Sequence, residues 1–178
     1  SDILNPSNPY SAAKASADML VLAWSRTYGI EYIIFRPTNN YGVGQYPEKL
    51  IPLSVKQLMR GKKIRLHNNG TPIRNWLHAS DTAEGVLSII ESGNVNEIYN
   101  IAGGFEQPNI ETVKEIIKIF YSTDDWENYI DFSYSREGQD VRYALNDDKL
   151  RGLNWEPKKK FKEEINNIVE YYKNKFIW

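Results

Sequence analysis

Helical stretches alternate with short apolar runs along this chain, and the alternation limits the possible folds more than any other property of the sequence. Residues 10–28 are rich in good helix formers and end before Gly29, which favours a helix with a glycine stop. Residues 31–37, EYIIFRP, form a nearly all-apolar run closed by proline, which is typical of a strand buried on both faces. The alternation continues along the chain and predicts an α/β fold.

The later segments supply the remaining predicted elements. The turn-rich segment over 38–49 is predicted to be irregular, and Asp81 with Glu84 forms a capping-box pattern that predicts a helix start. Asn109 is predicted to cap a helix. The further predicted elements are helices over 50–61, 109–121 and from Phe161, and strands over 64–67, 97–101 and 129–134. The apolar stripe of the last helix is Phe161, Ile165, Ile168, Val169, Tyr172 and Phe176.

Composition excludes several classes of function. With 178 residues, 41% of them hydrophobic, the chain can bury one substantial core. Its net charge of −1 gives no reason to expect nucleic acid or an anionic membrane as a partner. The absence of cysteine excludes disulfides, and two histidines are too few for a histidine-rich site, so no metal is expected. No apolar run approaches the roughly 20 residues of a membrane span, and we expect a soluble, cytoplasmic protein.

A glycine-rich nucleotide loop is missing from the sequence. No G-x-G-x-x-G or G-x-x-G-x-x-G pattern follows a predicted strand, although such loops bring backbone N–H groups against a dinucleotide pyrophosphate. The pairs Gly42 with Gly44 and Gly103 with Gly104 are too short and wrongly placed. We therefore predict that this chain alone does not hold a dinucleotide in the usual way.

The segment NPYSAAK over 8–14 contains a Y-x-x-x-K pair at the start of the first predicted helix. Asn8 is a suitable cap and Pro9 suits the first helical position, so Tyr10 and Lys14 share one helical face. The pKa of a free phenol is about 10, and a nearby ammonium favours the phenolate, which could then act as a base. Solvent-facing helix residues are the alternative. A second pair, Tyr171 with Lys175, is interpreted as structural.

Several further segments accompany this pair in a characteristic order. They are RPTNNYG over 36–42, YPEKLIP over 46–52, IRNWLH over 73–78 and REGQDVRY over 136–143. Together with NPYSAAK they closely resemble the C-terminal half of the nucleoside-diphosphate-hexose 4,6-dehydratases, which are extended short-chain dehydrogenase/reductases. The resemblance covers essentially the whole chain, and the combination of N-N-Y-G with E-K-L-I-P distinguishes the dehydratases from their relatives.

The resemblance implies a domain organisation. Residues 1–45 would be the remnant of an NAD-binding Rossmann domain, and 46–178 a smaller α/β region that binds the nucleotide sugar. Segments around 73–100 would return to the parallel Rossmann sheet. The family's N-terminal half, which supplies the glycine loop and an acid–base pair, has no counterpart in the sequence, so we expect a fragment that binds nucleotide sugar weakly and does not turn over alone.

The resemblance also implies roles for single residues. Tyr10 would be the base that starts sugar oxidation, Lys14 would hold the nicotinamide ribose of NAD, and Asn40 would face the NAD side. Asn39 would contact the nucleotide sugar, which suits an amide because it both donates and accepts hydrogen bonds. Turn residues are the alternative interpretation of the two asparagines. The remaining implied substrate contacts are Lys49, Leu50, Arg65, His67, Arg74, Asn109, Arg136 and Gln139.

Among these contacts, Arg74 and Arg136 would grip the diphosphate, a role that suits the forked guanidinium; a surface salt bridge is the alternative for Arg74. The family's usual P-I-Y is replaced by Arg65, Leu66 and His67, which leaves thymidine and uridine nucleotides open. The family's usual R-D-W motif is replaced by Arg74, Asn75 and Trp76, so the carboxylate of its aspartate is absent.

The implied reaction is conversion of dTDP-glucose, or UDP-glucose, to the 4-keto-6-deoxy sugar with bound NAD. Two alternatives stay open: another nucleotide-sugar enzyme of the same kind, a 4-epimerase or a decarboxylase, and a non-catalytic sugar-nucleotide-binding module. Members of the family usually form homodimers through the Tyr–Lys helix. Leu20 and Trp24 are apolar enough for such an interface, and packing on the chain's own sheet is the alternative. Without the preceding helix of the family we expect exposed apolar surface on this helix.

Overall fold

A computed structural model describes residues 4–175, which form an α/β fold. The α-helices of this part are α1 (Pro9–Tyr28), α2 (Leu50–Met59), α3 (Ala79–Ser92), α4 (Asn109–Tyr121), α5 (Asp148–Arg151) and α6 (Phe161–Lys175). Its strands are β1 (Ile33–Pro37), β2 (Asn39–Tyr41), β3 (Ile64–Arg65), β4 (Ile73–His78), β5 (Glu97–Ile101), β6 (Phe105–Pro108), β7 (Ile130–Asp131) and β8 (Arg142–Tyr143). The α/β class predicted from the sequence is confirmed.

The strands of the described part form three small sheets. β1 and β5 pair in parallel, with Ile34 opposite Ile98, and the short strands β3 and β7 are also parallel. In the largest sheet β4 is central, with β2 and β8 parallel to it and β6 antiparallel. Asn39 lies directly opposite Trp76 in the β2–β4 pair, and this register sets the position of the pocket described below.

Two hydrophobic clusters form the core. The larger one joins α2, α4 and α6 to β2, β3 and β4, and the smaller one lies around β5 and α5. Buried residues of the larger cluster include Tyr41, Val55, Leu58, Trp76, Val113, Ile116, Ile117, Phe161, Ile165, Val169 and Tyr172. The smaller cluster contains Leu77, Ile89, Tyr99, Ile101, Leu150 and Trp155. The predicted α6 stripe is buried from Phe161 to Tyr172, while Phe176 lies outside the described residues.

The start of α1 is as predicted. Asn8 is the N-cap, its side chain accepts a hydrogen bond from the Ser11 N–H at 2.9 Å, and Pro9 is the first helical residue. Gly29 closes the helix in a left-handed conformation. No residue of α1 is buried, and the helix is fastened to β1 by a forked ion pair between Arg36 and Asp18.

Several local predictions were wrong. β1 is not buried on both faces: Phe35 is 47% exposed, and within the described residues β1 pairs only with β5. The segment 38–49 is not wholly irregular, because Asn39–Tyr41 pairs with β4 as β2. The strand predicted over 129–134 is limited to Ile130–Asp131, and the strand predicted over 64–67 to Ile64–Arg65.

Two predicted helix caps were also wrong. α3 begins at Ala79, and its N-cap is His78, whose Nδ1 accepts from the Ser80 N–H; Asp81 is buried and instead accepts a hydrogen bond from the Lys159 N–H. Asn109 is the first residue of α4, after the N-cap Pro108. The Asn109 N–H donates to the Pro72 carbonyl at 3.0 Å, so this residue ties α4 to the start of β4.

The β5–β6 turn passes directly against β4. A Cβ atom at position 103 would overlap the Trp76 carbonyl oxygen, so only glycine fits there. The buried Asn75 side chain holds the same crossing, because its Oδ1 accepts hydrogen bonds from the Gly103 N–H at 2.8 Å and from the Thr38 hydroxyl at 3.0 Å. Asn75 is therefore a structural residue that joins β1, β4 and the turn.

Candidate active site

A pocket of about 130 Å³ lies beside the β2–β4 pair. Six of the residues predicted to contact substrate or cofactor line it: Asn39, Asn40, Lys49, Leu50, Arg74 and Asn109. Gln45 and Trp76 complete the lining, although the sequence argument assigned them no role. The pocket thus gathers residues of the paired strands β2 and β4, the loop after β2 and the starts of α2 and α4.

Two buried polar atoms in the pocket lining lack a hydrogen-bond partner within the described residues. They are Oδ1 of Asn39, an acceptor, and Nε1 of Trp76, a donor. The Trp76 ring is fixed by edge contact with Tyr41 and by a tilted contact with Phe161, at centroid distances of 6.2 and 5.4 Å. Since a buried polar group without a partner costs about 1–3 kcal/mol, this pair is suited to a ligand that both donates and accepts.

The side chain of Asn40 is engaged within the protein. Its Oδ1 accepts a hydrogen bond from the Thr82 hydroxyl, and its Nδ2 donates to the Thr38 carbonyl at 3.1 Å. The Gln45 amide donates to the Asn40 carbonyl at 2.8 Å. Asn40 and Gln45 therefore fix the shape of the loop after β2, and Gln45 is a residue that the sequence argument overlooked inside a turn-rich segment.

Arg74 is the cation of the pocket that is most firmly held. It is partly buried, and its guanidinium donates to the carbonyls of Ile73 at 2.7 Å and Asp140 at 3.0 Å. Burial lowers the pKa of Arg74 below its usual value; Asp140 opposes this, and the nearby charge of Arg136 adds to it. Two guanidinium groups close enough to repel each other favour an anion between or beside them.

Lys49 is less firmly held than Arg74. It lines the pocket, and its ammonium forms an exposed ion pair with Glu48 at 2.9 Å. This lysine can exchange Glu48 for another anion at small cost, because an exposed ion pair contributes little to stability.

Tyr10 and Lys14 lie on exposed α1, one helical turn apart. Tyr10 is 74% exposed, and neither side chain forms a hydrogen bond or an ion pair with another described residue. Tyr143 of β8 is near Tyr10: burial, followed by the proximity of Tyr10 and Asp140, raises the pKa of the Tyr143 phenol, which Arg36 partly offsets. No role was predicted for Tyr143 from the sequence.

Asp140 links the pocket to the start of α1. Its carbonyl accepts from Arg74, and its Oδ1 accepts from the Ser7 hydroxyl at 3.0 Å. Next to it, the Gly138 carbonyl accepts from the Asn8 cap at 3.1 Å. The segment 138–140 therefore sets the spatial relation between the pocket arginine and the helix that carries Tyr10.

Arg65 and His67 lie together on a separate surface, against Tyr134. The Arg65 guanidinium is 4.8 Å from the centre of the Tyr134 ring, and the His67 ring meets the same ring edge-on at 6.0 Å. Gln139 lies near them and accepts a hydrogen bond from Asn68 at 3.1 Å. Tyr134 is an additional aromatic residue of this cluster, which no motif had marked.

Metal-binding clusters and helices that could span a membrane are both absent from residues 4–175. No group of three or more His, Cys, Asp or Glu side chains that could hold a metal ion is present there. Within the same range, none of the helices is long and apolar enough to cross a membrane.

A family comparison accounts for this combination of fold and pocket. Residues 1–102 match the model of the NAD dependent epimerase/dehydratase family, which is more than half of the chain. The chain belongs to this family. The parallel strands β1 and β2 and the Tyr–Lys helix α1 lie within the matched residues.

Two proteins that are similar to this chain are dTDP-glucose 4,6-dehydratases. The chain is 39% identical over 178 residues to dTDP-glucose 4,6-dehydratase 1 of Escherichia coli (strain K12), covering 97% of this chain and 49% of that protein. The crystal structure of dTDP-glucose 4,6-dehydratase from Bacillus anthracis in complex with NAD is 40% identical, with a TM-score of 0.89, covering 99% of this chain and 55% of the other. The resemblance inferred from the motifs is confirmed, and the chain spans about half the length of the curated relatives it matches.

A UDP-glucose 4-epimerase from Thermotoga maritima has the same fold. The match has a TM-score of 0.81 and 23% identity, and it covers 99% of this chain and 59% of that structure. At this identity the similarity concerns the fold alone.

The described residues fit one end of a nicotinamide dinucleotide. Tyr10 and Lys14 present a phenol and an ammonium side by side on an open helical face, and both are free of other hydrogen bonds within residues 4–175. Such groups can donate to the hydroxyls of a ribose. The glycine pattern that would cradle the pyrophosphate is absent from this sequence, so the fit is limited to hydroxyl groups of a ribose.

Proposed function

We propose that this chain is the nucleotide-sugar-binding part of a 4,6-dehydratase that converts dTDP-glucose, or UDP-glucose, to the 4-keto-6-deoxy sugar. The observation that carries the proposal is the pocket. It combines the unpartnered buried atoms of Asn39 and Trp76 with the guanidinium of Arg74, and Asp140 links it to the helix that bears Tyr10. The similarity of this chain to two dTDP-glucose 4,6-dehydratases supports the choice of reaction.

The sugar end of the substrate would meet Tyr10. Its phenolate oxygen would take the proton of the sugar 4-hydroxyl as the hydride leaves C4, and Lys14 would hold the nicotinamide ribose. NAD, held at its ribose by Lys14, would supply the hydride acceptor for C4 and the hydride donor for C6, so that no net oxidation results. The C4 ketone would make the C5 proton acidic. The acid–base pair expected in the family's N-terminal half would take this proton, protonate the 6-hydroxyl so that it leaves as water, and return a proton to C5 when the hydride reaches C6.

The diphosphate end would lie against Arg74 and Arg136. A guanidinium offers paired N–H donors to phosphate oxygens, and a diphosphate would relieve the repulsion between the two arginines. Lys49 would add a third cation at the mouth of the pocket. The nucleobase would reach Arg65 and His67, where an imidazole and a guanidinium can stack on either pyrimidine.

Titration of this chain with dTDP-glucose and with UDP-glucose tests the proposal. We expect weak, saturable binding that is about tenfold weaker in Arg74→Lys, because a lysine keeps the charge but loses the forked donor geometry. Arg60→Lys is the matched control, since Arg60 lies at the exposed end of α2, and it should bind like the wild type. Equal affinities for all three chains would contradict the assignment of the pocket.

The same samples test the proposed inactivity of the chain alone. With NAD added, we expect no 4-keto-6-deoxy sugar, because the sequence has no glycine-rich loop to hold the cofactor. Appearance of the keto sugar would overturn the inactivity and confirm the reaction. Appearance of a 4-epimer would instead assign the chain to the epimerases.

We also propose that α1 forms a homodimer interface in the complete protein. Leu20 and Trp24 on this helix are 60% and 56% exposed, in keeping with an apolar face that another subunit could cover. Light scattering after size exclusion should show concentration-dependent association. A monomer at every concentration would contradict the interface.

A further inference from the structure

Two consecutive asparagines, Asn68 and Asn69, both have left-handed backbone conformations. Their φ angles are 51° and 53°, in the short 3₁₀ turn His67–Gly70 between β3 and β4. Asparagine is one of the few residues other than glycine that tolerates this region. The two positions therefore make similar demands on the backbone, and they differ in what their side chains do.

The Asn68 side chain is bonded to the segment that carries Arg136. Its Oδ1 accepts a hydrogen bond from the Arg136 N–H at 2.9 Å, and its Nδ2 donates to the Arg136 carbonyl at 3.1 Å. The same Nδ2 donates to Oε1 of Gln139 at 3.1 Å. The Asn68 backbone N–H donates to the Tyr134 carbonyl, also at 3.1 Å. One residue thus contacts both ends of 134–139.

The Asn69 side chain provides the contrast. Asn69 is exposed, and its side chain forms no hydrogen bond with any other residue in the described range 4–175. The two neighbours therefore separate the effect of a left-handed asparagine from the effect of the bonds that Asn68 makes.

Besides the bonds from Asn68, the near end of the segment has ring contacts from Arg65 and His67, and both of these contacts are to Tyr134. Arg136 and Gly138 are exposed, and none of the residues from 134 to 140 is buried. Its far end is tied to α1 by the bond from Asn8 to the Gly138 carbonyl, and to the pocket by the bond from Arg74 to the Asp140 carbonyl. Asn68 is the anchor at the near end.

We infer that Asn68 is a positioning residue for the nucleotide diphosphate, because it fixes the backbone from which Arg136 reaches the anion bound by Arg74. This inference rests on the proposed function. Asn68 does not itself need to contact the ligand. It acts by restricting Arg136, whose long side chain would otherwise start from a mobile backbone and lose more entropy on binding.

Hydrogen exchange of the unliganded chain tests the positioning step without any substrate. Asn68→Gly keeps the left-handed backbone and removes all three side-chain bonds, so the Arg136 amide should exchange about tenfold faster, while α4 and α6 should be unchanged. Asn69→Gly is the matched control and should leave exchange over 134–139 as in the wild type. Unchanged exchange in Asn68→Gly would overturn the inference.

Binding of dTDP and of thymidine tests the consequence. Asn68→Gly should bind dTDP about tenfold more weakly and thymidine as well as the wild type, because only the diphosphate meets Arg136. Loss of affinity for both ligands would show a merely structural role and overturn the inference. Failure of the wild-type chain to bind dTDP would overturn the proposed function and the diphosphate role together, whereas the exchange result would still decide whether Asn68 holds the segment.

Asn68→Asp gives a graded check. A carboxylate can still accept from the Arg136 N–H, but it cannot donate to the Arg136 carbonyl. We expect an affinity for dTDP between those of the wild type and Asn68→Gly. An affinity equal to that of Asn68→Gly would contradict a contribution from the bond to the Arg136 N–H.

Discussion

Helices α1 and α4 show how differently two parts of this chain are held. α4 buries Val113, Ile116 and Ile117 in the larger core cluster, whereas the longer α1 buries no residue at all. α1 is attached by polar contacts instead: its cap bonds to the Gly138 carbonyl, and Asp18 pairs with Arg36. The proposed catalytic group, Tyr10, therefore lies on the helix that buries no side chain, whereas α4, which begins with the pocket residue Asn109, is held by buried apolar side chains.

The largest effect should come from removing the hydroxyl of Tyr10 in a protein that joins this chain to a dinucleotide-binding half. Tyr10→Phe should lower kcat about 10²–10⁴-fold, because a general base is lost while the ring remains. Tyr171→Phe is the matched control: it belongs to the second Y-x-x-x-K pair, on α6, where Tyr171 packs edge-on against Tyr172. Steady-state kinetics of both variants measure this difference in kcat. Equal losses of kcat in the two variants would contradict a catalytic role specific to Tyr10.

Stability should show the opposite asymmetry. Ile116→Ala should lower the free energy of unfolding of this chain by about 3 kcal/mol, because it leaves a cavity at a fully buried position in α4. Leu20→Ala, at a position 60% exposed on α1, should change it by less than about 0.5 kcal/mol. Urea unfolding measures both values. A large loss in Leu20→Ala would show that this chain by itself already packs α1 against another apolar surface, and would contradict the prediction.

A smaller effect concerns Glu115 of α4, whose Oε2 is buried and has no hydrogen-bond partner within the described residues. Burial raises the pKa of Glu115; Lys162 opposes this and Glu111 adds to it. Folding therefore favours the protonated form, and its contribution to stability is lost as the pH rises through the raised pKa. Glu115→Gln should stabilise the chain by about 0.5 kcal/mol near pH 7 and by little near pH 4.

Unfolding curves at the two pH values measure this effect. Glu163→Gln is the control, because Glu163 is exposed and its carboxylate forms a surface ion pair with Lys160. A gain in Glu115→Gln that is the same at both pH values would show that the buried charge is not its cause.

Local rules predicted the parts of the fold that depend on neighbouring residues. The start of α1 at Asn8 and Pro9 and the buried stripe of α6 follow from capping and from helical periodicity, both of which act over a few positions. One failure shows where local rules stop. Asn39 and Asn40 have turn chemistry, but pairing with Trp76 and Leu77 of β4 makes them a strand.

The candidate site divides in the same way. Short contiguous motifs in a characteristic order carried the resemblance to the family, and that resemblance implied roles for the Tyr10–Lys14 pair and for six of the eight pocket-lining residues. Tertiary structure alone showed that Trp76 has an unpartnered donor opposite Asn39, and that Asn68 holds Arg136 across 68 positions of sequence. Such contacts depend on strand register and on where a loop returns to the sheet, and neither is written in any local stretch of residues.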